Sequence, residues 1–170
     1  ERAKKMNKQI RNEDSPPYIT KKKTTQSDNE ILAQAEAILH GRINTNDVMT
    51  NPTDVAFYLR VRYALRESEA FGVLWLDTRH RLIEESVLFL GTVDGASVHP
   101  REVVRSALEN NAAAGILFHN HPSGVSDPSR ADIRITDRLK SALDLIDVRI
   151  LDHIVVGTES STSFAETGLL

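Results

Sequence analysis

His119-Asn120-His121-Pro122, followed by Ser129 and Asp132, is the set of residues whose types and spacing could do chemistry. Side chains alternate across a β-strand, so two histidines at i and i+2 share one face. A carboxylate in the first turn of a following helix can reach the same space. Two imidazoles and one carboxylate form a three-ligand set that suits a catalytic Zn²⁺, with a fourth position left to water. His119, His121 and Asp132 are therefore read as metal ligands, and Asn120 is expected to face away from them.

Ser129 has two compatible readings. It can cap the helix it opens, and its hydroxyl can donate to an oxyanion developing on a substrate carbonyl. Asp132 would also be favoured at a helix N-terminus by its charge alone. A hydrolytic site needs a base to carry protons between water and leaving group. Glu67, Glu69, Glu84, Glu85 and Glu102 are the upstream candidates, and residue type does not choose among them. Glu84 and Glu85 are expected to face solvent from a hairpin. His40 and His80 are read as exposed, and His153 as a hydrogen-bonded strand residue.

The elements that must position these groups follow from periodicity. Ser27 and Glu30 have capping-box spacing, and Ile31, Ala35, Ile38 and Leu39 make a short helix ending at Gly41, with a linker to about residue 48. Pro52 opens a second helix carrying Val55, Tyr58, Leu59 and Tyr63, expected to run to about Ser68. Phe71–Leu76 and Leu82–Thr92 read as a hairpin around Asp77–His80. Val103, Val104, Ala107 and Leu108 imply a helix entered through Pro100. Ala112–Phe118 reads as a buried strand that delivers the histidine pair. The Pro- and Ser-containing stretch 122–128 is a loop. Ser129 opens a helix with Ile135, Leu139, Ala142 and Leu143, Val148–Val156 is a long strand, and Phe164 is placed on a short terminal strand. The order ααββαβαβ predicts an α/β sandwich, a mixed β-sheet flanked by helices.

Bulk properties narrow the function classes. The 170 residues suffice for one well-cored domain. Mean hydropathy is −0.32, and no apolar run approaches the roughly 20 residues of a spanning helix. Cys is absent, which removes disulfides and thiolate ligands and leaves metal binding to His, Asp or Glu. The first residue is Glu1, as expected of a fragment, and no export signal follows; a cytoplasmic location is expected. The net charge of −3 is uneven. Residues 1–28 hold eight Lys and Arg against four Asp and Glu, and the remainder is net −7. Residues 1–26 are read as a flexible polar, basic arm, with nucleic-acid contact as the alternative.

The spacing His119-x-His121, seven residues, Ser129-x-x-Asp132 resembles the JAMM motif of the JAB1/MPN metalloproteases. Val98–Val104, Asn111–Ala114, His119–Gly124 and Leu151–Gly157 further resemble signature segments of the RadC family, over roughly residues 50–170. The resemblance implies the MPN/JAB sandwich, related to the cytidine-deaminase fold, across residues 49–170. It implies zinc on His119, His121 and Asp132, Ser129 steadying the tetrahedral intermediate, and a base placed ahead of a Gly-x-Leu strand. Glu69-Ala-Phe-Gly72-Val-Leu74 fits that last pattern, so Glu69 is the implied base. Asn120 departs from the Ser or Thr common in the family's deubiquitinases, so ubiquitin specificity does not carry over. The likeness is to short family members without the helix-hairpin-helix-like region, and the family's DNA-repair label gains no support from these residues.

The expected activity is zinc-dependent hydrolysis of peptide or isopeptide bonds in a protein or peptide substrate. A metal-dependent nuclease or other DNA-processing protein is the second class. It rests on the family's name, the basic arm and the literal His-Asn-His tripeptide, whereas nuclease sites favour harder, carboxylate-rich metal sets. A non-catalytic binding module on the same fold is the third, although such relatives lose the ligands that are all present here.

Overall fold

The structure is a computed structural model and describes residues 30–35, 37–38, 41, 51–91 and 98–170. The basic arm, Ser27 and the linker up to residue 48 lie outside the described residues. Residues 30–35, 37–38 and 41 are helical, in agreement with the first expected helix. Next come α1 (Pro52–Tyr63), β1 (Ala70–Leu76), β2 (Leu82–Leu90), α2 (Pro100–Glu109), β3 (Ala114–Asn120), α3 (Arg130–Asp144), β4 (Arg149–Val156), β5 (Ser161–Ser163) and α4 (Phe164–Thr167). Among the described residues no helix is long and apolar enough to cross a membrane.

The strands form one five-stranded sheet in the order β2-β1-β3-β4-β5. Its β3/β4 pair is parallel and the other pairs are antiparallel. This is the expected mixed sheet with helices on both faces. Alternation along β1 shows why. Leu74 and Leu76 pack with Val55, Tyr58, Leu59 and Tyr63 of α1 on one face. Phe71, Val73 and Trp75 pack with Val103 of α2 and Leu139 and Leu143 of α3 on the other. The buried Trp75 indole donates to Ser106 Oγ at 2.9 Å, which ties β1 to α2 and satisfies its one polar atom.

Several boundaries differ from expectation for local reasons. Helix α1 stops at Tyr63 rather than near Ser68. Strand β3 starts late because Asn111 turns at φ 47° and Ala112 N–H still bonds Ala107 O at 3.0 Å. It runs on to Asn120, whose neighbour in β4 is Val156. Phe164 is not on a strand, because Ser163 ends β5 and its side chain accepts from Glu166 N–H, capping α4. Glu85 corrects the expectation of a solvent-facing residue. It lies opposite Leu74, hence on the α1 face, where the Tyr58 and Tyr63 hydroxyls donate to it and Arg62 Nε stands 3.1 Å away. Burial, with the Glu85 carboxylate adding, pushes both phenols above their ordinary range.

Gly72 sets how closely β1 meets its neighbours. A Cβ there would lie 2.3 Å from Phe118 Cζ and 2.7 Å from the Ser86 carbonyl oxygen. Phe118 cannot easily yield, since its ring packs on Tyr63 with centroids 4.7 Å apart. Gly72→Ala should destabilise the fold by about 2–3 kcal/mol through overpacking. Urea unfolding checks this, and an unchanged midpoint would refute it.

Candidate metal centre

The site forms where the C-terminal end of β3 meets the first turn of α3. His119 faces α2 and α3, on the same side as Leu117, and Asn120 points to the opposite face. There Asn120 Oδ1 accepts from Ala70 N–H at 2.8 Å, and its Nδ2 donates to Ser68 O at 3.3 Å. The segment after β3 is held by backbone bonds. His121 N–H reaches Val156 O at 2.9 Å, and Gly124 N–H closes a turn onto His121 O at 2.9 Å. Pro122 takes the second turn position and Gly124 the fourth. Gly124 adopts φ 84°, which L side chains rarely take.

Helix α3 delivers the carboxylate. Ser129 is its N-cap, with a reciprocal capping box to Asp132. Ser129 Oγ accepts from Asp132 N–H at 3.2 Å, and Asp132 Oδ2 accepts from Ser129 N–H at 2.7 Å. Asp132 is only 2% exposed and His119 is fully buried. Asp132 Oδ1 lies 3.4 Å from His119 Nε2, and Oδ2 lies 3.6 Å from His121 Nε2. The two Nε2 atoms are 3.0 Å apart. Two imidazole nitrogens converging at that distance beside a carboxylate are spaced to share one cation.

The structure also brings Glu69 to this group. Phe71 pairs with His119 in antiparallel register, and extending that register by two residues sets Glu69 opposite His121. Ligand atoms of Glu69, His119 and His121 all lie within 4.8 Å of one another. The other four glutamates are placed elsewhere. Glu67 and Glu84 are exposed, Glu85 faces α1, and Glu102 pairs with Arg101 and Arg105. All five sequence-selected residues, Glu69, His119, His121, Ser129 and Asp132, thus share one region, with two carboxylates near one histidine pair.

The electrostatics match a cation-binding set. Burial pushes the Asp132 carboxyl upward, but the adjacent imidazoles of His119 and His121, with Ser129 assisting, outweigh it and hold it well below the usual carboxylate range. The neighbouring Asp132 carboxylate raises His121 above the ordinary imidazole value; burial opposes this, and the Val125 carbonyl and Glu69 add to it. His121 Nδ1 stands 2.7 Å from Val125 O. A carbonyl only accepts, so Nδ1 carries the proton and Nε2 is directed at the cluster.

Two residues of the site were not selected from sequence. His153, on β4, is buried with Nε2 2.8 Å from His119 Nδ1. Thr136 Oγ1 is 2.6 Å from His153 Nδ1. Burial, and then the charge of His119, hold His153 well below the ordinary imidazole range. The reading of His153 as a hydrogen-bonded strand residue agrees with this, but its partner was not foreseen. The available signal was parity: β4 runs parallel to β3 with His153 opposite Leu117, which puts it on the His119 face.

Comparison with known proteins gives a consistent result. A family model described as "RadC-like JAB domain" matches residues 49–169. A UPF0758 protein of Vibrio cholerae serotype O1 is 56% identical over 143 residues, covering 84% of this chain and 90% of the relative. A UPF0758 protein of Nitrosococcus oceani is 55% identical over 132 residues, covering 78% of this chain and 59% of the relative. Another from Vibrio cholerae is 51% identical over 138 residues, covering 81% and 62%. The chain therefore spans about three fifths of the length of these last two relatives.

Proposed function

The chain belongs to the RadC-like JAB domain family, and from that premise we propose that it is a zinc-dependent hydrolase of peptide or isopeptide bonds. The observation that carries the proposal is the convergence of His119 Nε2, His121 Nε2 and the Asp132 carboxylate, at separations of 3.0, 3.4 and 3.6 Å. Ligand atoms held tetrahedrally at about 2.0–2.1 Å from zinc stand about 3.3–3.4 Å from one another. A nitrogen-rich, cysteine-free set of this kind suits zinc better than magnesium or calcium, which prefer all-oxygen shells.

Bound there, zinc supplies Lewis acidity and a water acidified toward neutrality. The remaining work falls to side chains. Of the two carboxylates, Asp132 is buried and fixed by the capping box, as a ligand should be. Glu69 is only half-buried, where an attacking water and a substrate can reach it. Glu69 would take a proton from an attacking water and return it to the leaving amine as the C–N bond breaks. The Ser129 cap uses an oxygen lone pair, so its O–H proton is not consumed and can be given to the oxyanion that develops on the scissile carbonyl.

The test is cleavage of peptide and isopeptide libraries by the zinc-loaded chain. Cleavage should vanish with a chelator and return with added zinc. Single- and double-stranded DNA with Mg²⁺, Mn²⁺ or Zn²⁺ forms the second arm. DNA cleavage lost in His119→Ala, without peptide cleavage, would replace this reading with a nuclease. A zinc content near zero would replace it with a binding module.

A further inference from the structure

We propose that Thr136 and His153 form a proton-ordered relay that fixes His119 as its Nδ1–H tautomer and keeps its Nε2 lone pair directed at the metal cluster. This deepens the zinc reading and rests on it.

The relay follows from which atoms can donate. Thr136 Oγ1 lies 2.6 Å from the Asp132 backbone carbonyl, one helical turn back, and a carbonyl only accepts. The hydroxyl proton is spent there, so toward His153 Nδ1, also at 2.6 Å, the oxygen must accept. His153 Nδ1 therefore carries a proton. The 2.8 Å contact from His153 Nε2 to His119 Nδ1 holds one proton, on one side or the other.

Placing it on His153 would make an imidazolium in a fully buried position, ringed by Phe71 and Phe164. Asp152, next in the chain, offers no relief. Its carboxylate accepts from Ser163 Oγ at 2.6 Å, Ala165 N–H at 3.0 Å and the His153 backbone N–H at 2.7 Å. An unpaired buried charge is the costlier arrangement, so His153 Nε2 accepts and His119 Nδ1–H donates. Nε2 of His119 is then bare.

The result matches His121, whose Nδ1–H is taken by the Val125 carbonyl. Two different acceptors give the two histidines the same tautomer, the one that can ligate through Nε2. Outer partners of ligating histidines commonly work this way. Here the chain of bonds also closes on itself. Thr136 hangs from the helix that carries Asp132, so the third proposed ligand and the tautomer of the first are set by one element. Thr136 and His153 are positioning residues and touch no reacting atom.

Thr136→Val tests this while keeping side-chain shape. In the metal-free full chain, labelled with ¹⁵N-histidine, long-range ¹H–¹⁵N NMR reports which nitrogen of His119 is protonated. The wild type should show Nδ1–H. In Thr136→Val, His153 loses its acceptor at Nδ1, its proton moves to Nε2 and donates to His119, and His119 becomes Nε2–H. Zinc affinity by competition titration should fall about 10–100-fold. Thr136→Ser should restore both tautomer and affinity, which a purely structural role for the side chain would not require. An Nε2–H His119 in the wild type overturns the relay, even if that protein binds zinc tightly. So does Thr136→Val with wild-type tautomer and affinity, or Thr136→Ser behaving like Thr136→Val. A wild type that binds no zinc sinks the hydrolase reading, whereas the NMR result alone judges the relay.

Discussion

Glu69→Gln should lower kcat/KM for peptide or isopeptide cleavage by about 10²–10⁴-fold while each chain still binds zinc. That range is typical for removal of a positioned acid–base group. Gln preserves the length and polarity of the side chain and can still accept a hydrogen bond, but it cannot store a proton between water attack and amine departure. The position argues for this role over ligation. Glu69 sits just before β1, half-buried, and reaches the histidines only because β1 lies antiparallel to β3. Its backbone carbonyl accepts from Gly91 N–H at 2.8 Å, which holds the segment in place while the side chain stays within reach of water. Metal content measured beside the rate separates the two roles. Loss of rate with loss of zinc would make Glu69 a ligand, and full rate with zinc retained would remove it from the mechanism.

What could be read from the chain divides by the range of the interaction. The i, i+2 histidines and the Ser129–Asp132 capping box are local, and a strand followed by a loop and a capped helix brings them together without further information. The order of helices and strands likewise pointed to a sheet flanked by helices, and the packing of β1 on both faces agrees with it. Glu69 differs. Five glutamates remained equal by composition, and only family resemblance favoured one, because its contact with the histidines depends on the Phe71–His119 register between strands almost fifty residues apart. Glu85 was misread for the same reason. A charged residue on an edge strand is ordinarily solvated, and nothing local announces that two tyrosine hydroxyls of α1 will meet it. Thr136 is the extreme case. A threonine inside a helix reads as a weak helix former, and its task becomes visible only when β4 places His153 against it.

Asp132→Asn and Ser129→Ala should separate cleanly, although the two residues share one capping box. Asp132→Asn removes the negative charge held against His119 and His121 in a nearly solvent-free position and turns one oxygen into a donor facing their Nε2 atoms. Zinc affinity should fall by more than the ~10–100-fold typical of losing an outer partner, and cleavage should fall with it at any attainable zinc concentration. Ser129→Ala loses the Oγ acceptor for Asp132 N–H, which should lower stability by about 1 kcal/mol. It leaves the Asp132 carboxylate in place, so zinc stays bound. If the Ser129 hydroxyl proton steadies the oxyanion, kcat should drop about 10²–10³-fold, the usual effect of deleting one such donor, with KM little changed. Thermal unfolding, zinc titration and steady-state kinetics on the same two proteins decide the assignment. Zinc retained in Asp132→Asn but lost in Glu69→Gln would exchange the ligand and base between the two carboxylates. An unchanged kcat in Ser129→Ala would confine that residue to the helix cap.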